Sequence, residues 1–246
     1  MLPRVRRELF PYLQYQLYLP RYAVLENLAT FGQSESVRTG PAASALFELP
    51  LRAYGSSSDS FAVAGGLGYT WAHRNALLQV AVAPSARLEE GRVVDQLLLA
   101  EVRGATPPWL LGRLVLRAVW QGRRGDTSQQ AVSLGGDSGL RGYPSQAFQL
   151  VGASLLRGNL EYRTLPLLWR SVQMGALLFY DAGAVYVDVK EIDVHHAVGF
   201  GLRLLFPQFN RYPYRLDLGF PLDRAGFRLQ LTIGSGQAVP LTAVEG

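Results

Sequence analysis

Alternation of side-chain bulk with a period of two constrains this chain more than any other feature. From Phe61 to Trp71 one parity reads Phe61, Val63, Gly65, Leu67, Tyr69, Trp71, and the other reads Ala62, Ala64, Gly66, Gly68, Thr70. Successive residues of a strand face opposite sides of its sheet, so this segment has one bulky apolar face and one of small residues. Residues 110–121 repeat the division with charge on the second face: Leu110, Leu114, Leu116, Ala118 and Trp120 stand against Arg113, Val115, Arg117, Val119 and Gln121. Residues 155–164 do so again, with Leu156, Leu160 and Tyr162 against Arg157, Asn159, Glu161 and Arg163. Charges gathered on one strand face require water or partners. A soluble sandwich would turn them to bulk solvent, whereas a membrane barrel would turn them into a wet lumen.

Two observations favour the barrel. The apolar face often begins or ends in an aromatic residue, as at Tyr69, Trp71, Trp120, Tyr162 and Phe220. That is the placement of an aromatic girdle at a membrane interface. Many segments also run about 9 to 12 residues, the length a tilted strand needs to cross a bilayer, against about 5 to 6 in soluble sheets. Strands are expected near 9–19, 42–53, 60–71, 75–88, 93–103, 109–121, 151–164, 173–187, 195–206, 212–220 and 226–234, with a further one near 21–30. Turn signals such as Ser56-Ser57-Ser58-Asp59, Ala105-Thr106-Pro107-Pro108 and Asp223-Arg224-Ala225-Gly226 separate them, and nothing reads as a domain linker.

Composition agrees. Hydrophobic residues make up 48% and charged residues 17%, yet mean hydropathy is only +0.07, as befits apolar residues finely interleaved with small polar ones. No window approaches the roughly 18 consecutive apolar residues of a membrane-spanning helix. The start, Met1-Leu2-Pro3-Arg4-Val5-Arg6-Arg7, carries the charge of a signal peptide, but Pro11 and Gln14 interrupt any apolar core behind it. A fragment boundary, or an export signal further upstream, is therefore expected. The chain has no cysteine, which removes disulfides, thiolate metal sites and a cysteine nucleophile. The net charge of +5 is carried by arginine, Lys190 being the lone lysine. The arginines are spread singly along alternating segments, so no nucleic-acid partner is expected.

One segment breaks the rhythm. Residues 122–150, rich in Gly, Ser, Asp and Gln, are long for a connection without structure of its own, and such loops are commonly functional. Within it stands Leu134-Gly135-Gly136-Asp137-Ser138-Gly139-Leu140-Arg141-Gly142-Tyr143-Pro144, followed by Gly158-Asn159-Leu160-Glu161-Tyr162-Arg163 and Gly175-Ala176-Leu177-Leu178-Phe179-Tyr180-Asp181-Ala182-Gly183. This three-part set, with readable strands after it, resembles the C-terminal barrel of the bacterial surface antigen superfamily. That family includes the BamA and TamA assembly factors and the two-partner-secretion translocators. The likeness is clearest over 134–183 and extends to about 233.

The resemblance implies an Arg-Gly-Tyr tip, Arg141, Gly142 and Tyr143, folded back into the lumen, with Arg141 paired to Glu161 and Asp181. Gly136, Phe179 and Gly183 would support it. Parity agrees: Glu161 lies on the charged face of its strand, and Asp181 shares parity with Phe179 and Gly183, opposite Ala176, Leu178 and Tyr180. A carboxylate in a narrow lumen is costly unless paired, and an arginine fork can satisfy it with two hydrogen bonds. Gly142 would permit the turn, while Gly158 and Gly183 would leave room for the tip. The plainer reading pairs these carboxylates with neighbouring arginines such as Arg163 or Arg203. The chain also departs from the family. No POTRA domain fits into residues 1–246, the strands fall short of the family's sixteen, and residues 235–246 follow the last strand where an aromatic residue commonly ends the family barrel. The chain therefore reads as a truncated or reduced relative.

A rival reading is an enzyme. Gly136-Asp137-Ser138-Gly139 looks like the nucleophile segment of chymotrypsin-like serine proteases, and His73 and Asp95 precede Ser138 in the order that fold uses. Against it, Leu140 stands where a glycine is expected, and strands alternating arginine with apolar residues make a poor protease core. His195 and His196 are adjacent and so face opposite sides of a strand, which does not suit a metal pair. Gly199-Phe200-Gly201 lacks a following helix, and Arg124-Gly125-Asp126 is read as a chance tripeptide.

The expectation is thus an all-β, antiparallel, up-and-down transmembrane barrel over 1–246, located in a bacterial outer membrane, with the 122–150 loop in its lumen. It would act on unfolded or secreted polypeptides, by assembly, insertion or translocation, without metal, cofactor or covalent chemistry. Membrane lipids and periplasmic or lipoprotein accessory subunits are the other expected partners. A passive or secretion pore is the alternative.

Overall fold

The computed structural model describes residues 7–30, 33–127, 132–136, 139–144, 153–209, 212–222 and 229–241. Among the described residues thirteen strands form one antiparallel sheet: β1 (Tyr12–Tyr18), β2 (Arg21–Glu26), β3 (Ser34–Glu48), β4 (Ser60–His73), β5 (Ala76–Glu89), β6 (Arg92–Ala105), β7 (Gly112–Arg124), β8 (Ser154–Thr164), β9 (Leu167–Trp169), β10 (Val172–Tyr186), β11 (His195–Leu205), β12 (Tyr214–Pro221) and β13 (Gln230–Ser235). The order across the sheet is β1-β3-β4-β5-β6-β7-β8-β10-β11-β12-β13, with β2 on β3 and β9 on β10. The strands follow one another as a meander. Among the described residues no ladder joins β1 to β13, so the sheet is open. Among the described residues no helix is long and apolar enough to cross a membrane.

The two parities read from the sequence become two faces. One, here the open face, carries Leu67, Tyr69, Val80, Val82, Leu116, Trp120, Leu160, Leu178, Phe200 and Leu216, all exposed. The other, the covered face, carries Arg113, Asn159, Glu161, Arg163, Asp181, Arg203, Arg215 and Asp217, all buried. Leu67 is 69% exposed and Leu178 62%, while Glu161, Asp181 and Asp217 are 0% exposed. This inverts the usual arrangement of soluble proteins, in which unpaired charge faces water and bulk apolar groups are hidden.

Three chain segments cover the buried face. At one end of the strands the loop between β7 and β8 packs Leu134, Leu140 and Tyr143 against Leu155, Val185 and Ala197. At the other end the β2–β3 ribbon and the segment after β13 meet in a cluster of Leu25, Leu28, Val37, Leu77, Ala105, Val115, Val239 and Leu241. The ribbon departs from the sheet at Gly40, where β3 stops pairing with β4. Its φ of +95° is the left-handed conformation that glycine adopts freely. The Glu35 carboxylate shapes the turn by accepting from the backbone N–H groups of Leu28, Ala29 and Thr30 at 2.9–3.1 Å.

Several expected boundaries are corrected. The strand expected at 42–53 begins at Ser34, because its polar first part is satisfied by β2 rather than by an apolar face. It ends at Glu48, and Arg52–Tyr54 forms a turn of 3-10 helix. The strand near 21–30 exists but stops at Glu26, and it continues β1 in the same register after a break at Leu19-Pro20. Leu110 is not on a strand face; it sits in the turn before β7 with φ +54°. The three-residue β9 is too short to show any period. Residues 151 and 152, expected in a strand, lie outside the described residues.

Candidate functional site: a loop latched to buried carboxylates

The latch begins with three consecutive ladders. β8 sets Asn159, Glu161 and Arg163 on the covered face, β10 sets Asp181 and Phe179 there, and β12 sets Asp217 there. The period of two alone aligns them: Phe179 pairs with Glu161 and with Gly199, and Asp181 pairs with Asn159. Three buried carboxylates, Glu161, Asp181 and Asp217, thus stand close together with Asn159 beside them, and their burial requires cations between them.

Arg141 from the loop is that cation. Its Nε and Nη2 donate to the two carboxylate oxygens of Asp181, each at 2.8 Å, the fork-to-fork geometry of a bidentate pair. Its Nη1 donates to Glu161 Oε1 at 2.6 Å and lies 3.6 Å from Asp217 Oδ2. Its backbone N–H donates to Asp181 Oδ2 at 3.1 Å. The guanidinium carbon stacks 3.8 Å above the Phe179 ring, so the flat face of the cation meets an aromatic face. Burial by itself would pull the Arg141 pKa down, but the Asp181 hydrogen bonds and the Glu161, Asp181 and Asp217 charges outweigh it and raise it above the ordinary arginine value.

The tip is built tightly around this contact. Gly142 has φ +100°, and the Gly136 N–H donates to the Tyr143 carbonyl at 2.7 Å, closing a small loop under Arg141. The Tyr143 hydroxyl donates to the His196 carbonyl at 3.2 Å. A Cβ at Gly219 would stand 2.5 Å from the Gly142 nitrogen, and one at Gly183 would stand 2.8 Å from the Leu134 side chain. Both glycines are therefore places where the loop backbone or a side chain rests on the sheet.

Arg141, Gly142, Tyr143, Glu161, Asp181, Gly136, Phe179 and Gly183, named from the sequence, are brought together. Gly158 is not part of the set: it lies on the open face beside Ala118 and Ala182, with nothing near it. The alternative pairing occurs for Glu161 alone, to whose Oε2 Arg163 Nε donates at 2.7 Å. Arg203 Nη1 donates instead to Asp217 Oδ1, at 2.6 Å. Glu161 therefore serves two arginines, one through each oxygen. Sequence reasoning missed Asp217, Asn159 and Gly219. Asn159 Nδ2 donates to the Gly139 carbonyl and to Asp181 Oδ1, both at 2.8 Å. The parity Arg215, Asp217, Gly219 opposite Leu216, Leu218 and Phe220 carried the signal for the other two.

Of the residues of the enzyme reading, His73 and Asp95 are not brought together. His73 closes β4 beside Ala76, at the end of β5 remote from Arg87. Asp95 stands at the other end, ion-paired to Arg87, and accepts from the Thr127 N–H at 2.7 Å and from its hydroxyl at 2.9 Å. Ser138 lies outside the described residues. His195 and His196 do face opposite ways: the His195 ring is 5.7 Å from that of Tyr143, while His196 Nδ1 is 2.7 Å from the Tyr180 hydroxyl.

No protein-family model matches the chain, and none of the curated proteins matches it.

Proposed function

We propose that the sheet is the wall of a β-barrel in a bacterial outer membrane. What supports this class is the inversion of the two faces. Exposed large apolar residues stand on the open face of strand after strand from β3 to β13, whereas soluble proteins rarely expose contiguous apolar patches larger than a few hundred square ångströms. Aromatic residues stand near both margins of this belt, Phe47, Phe61 and Phe220 toward the loop end and Trp71, Tyr162 and Tyr214 toward the other. Lipid is the solvent that suits such a belt.

Within that class, the particular reading is a barrel that inserts or translocates other polypeptides, as the surface antigen superfamily does. The observation that carries it is the Arg141 tip held by Asp181 and Glu161. A loop tied back across the interior braces the wall, and the unpaired edges of β1 and β13 are where a seam for substrate would lie. Unfolded polypeptide, membrane lipid and accessory subunits are the proposed partners. A passive pore is the second reading, but an interior filled by three packed segments fits a gated passage better than a free one.

Two experiments separate these levels. Gel mobility of detergent-extracted protein, with and without boiling, tests the barrel: a heat-dependent shift is expected, and a soluble chain without one removes the membrane reading. Arg141→Ala tests the function: it is expected to keep the heat-dependent shift while lowering insertion of a substrate barrel into liposomes. Undiminished insertion by that variant would remove the loop from the mechanism.

A further inference from the structure

We propose that the covered face, at the end remote from the Arg141 loop, holds a seat for a short polypeptide segment with apolar residues at alternate positions. Residues 237–241 of the chain itself fill it here. This deepens the proposed handling of polypeptide and rests on that reading.

The segment is held as a peptide ligand would be. Arg163 Nη2 donates to the Val239 carbonyl at 2.6 Å, and Arg163 Nη1 donates to the Leu28 carbonyl at 3.1 Å. Gln237 is clamped on both sides, accepting from Arg203 Nε at 3.1 Å and donating to the Ala29 carbonyl at 3.3 Å. Val239 and Leu241, two residues apart, enter the same apolar cluster as Leu77, Ala105 and Val115.

Two features make this a general seat. Arg163 grips main-chain carbonyls, which every polypeptide offers, and selection falls to the pockets for alternate side chains. Its polar capacity is also only partly used. Arg113 stands directly across the ladder from Arg163, is 2% exposed, and donates through Nη2 to the Glu26 carbonyl at 2.9 Å. Its Nε and Nη1 are buried and, among the described residues, without a hydrogen-bond partner. Two such donors beside a carbonyl-binding arginine would be satisfied by carbonyls of an occupant that displaces the present segment.

The chain lacks cysteine, so Val239→Cys in the full chain gives a single thiol that reports on the seat. Slow labelling by a hydrophilic maleimide is expected. A short linker holds a tethered segment at an effective concentration on the order of millimolar, so a competing peptide is needed at that level. A synthetic peptide of sequence Ser-Gly-Gln-Ala-Val-Pro-Leu in the low millimolar range should speed labelling severalfold, whereas the same peptide with serine for Val and Leu should not. Gln237→Ala added to the thiol variant should speed labelling about tenfold without peptide, from the loss of two hydrogen bonds, one to a charged partner. Rapid labelling of the unaltered seat, no response to either peptide, or equal response to both overturns the proposal. The heat-dependent gel shift of the same preparation reports on the membrane reading separately, so failure of one is not mistaken for failure of the other.

Discussion

The two ends of the covered face are closed by different physics. At the loop end, a guanidinium from outside the sheet is fixed by three carboxylates, an aromatic ring and a backbone closed over glycine. At the other end, an apolar cluster does most of the filling, and the polar contacts run from sheet arginines to main-chain carbonyls. Charge networks demand one geometry, because each partner left alone is a buried ion. Apolar pockets with carbonyl acceptors tolerate many sequences, since the backbone supplies the acceptors and only side-chain size is selected. The first arrangement suits a fixed brace, and the second an exchangeable occupant.

Glu161 joins the two ends, with Oε1 on Arg141 and Oε2 on Arg163. Glu161→Ala should therefore have the largest effect, leaving two buried cations short of a partner. A loss of about 3–5 kcal/mol is expected, at the scale of a broken buried ion pair, seen as a lower temperature for loss of the compact band on gels. It should loosen both ends. If the Val239→Cys thiol keeps its slow labelling in this variant, the two ends are independent and the comparison fails.

Asp181→Asn is expected to rank next, because the fork on Arg141 loses its charge while Asn159 still contacts the site. Loss of roughly 2–4 kcal/mol should follow, with faster proteolytic cleavage within 122–150 and no change in labelling at position 239. A smaller effect is expected from Gly219→Ala, whose new methyl meets the backbone of Gly142. Overpacking of this kind costs about 1–3 kcal/mol, and the loop should again be the part that is cleaved. Gln237→Ala should be the mildest, about 1–2 kcal/mol, and confined to the opposite end. Cleavage of the loop in Gln237→Ala would contradict that confinement.

The faces were legible in the sequence because the period of a strand leaves no freedom: once Glu161 and Asp181 shared parity with arginine, glycine and asparagine, their side of the sheet was set. The tip was legible through its order, Arg141-Gly142-Tyr143 ahead of two carboxylates. Its supports were less so. Asp217 and Gly219 sit two strands beyond Asp181 in a short segment, and nothing local connects them to the loop. The β2–β3 ribbon was read only in part, since Ser34-Glu35-Ser36 has no apolar face to reveal a strand. Gly158 shares parity with Leu156 and Leu160, so the same period sets it on the open face, away from the tip.

What the sequence by itself determined is local: the extended backbone, the division of each strand into an apolar and a charged face, the long loop, and the residues able to form a buried ion pair. What only the tertiary structure decided is which segments fill the covered face, because that depends on contacts between residues far apart in the chain. Arg163 illustrates the difference. Parity turned it inward, yet its partners, the carbonyls of Leu28 and Val239, lie 135 and 76 residues away. A carbonyl carries no side-chain signature, so no pattern of residues could announce them.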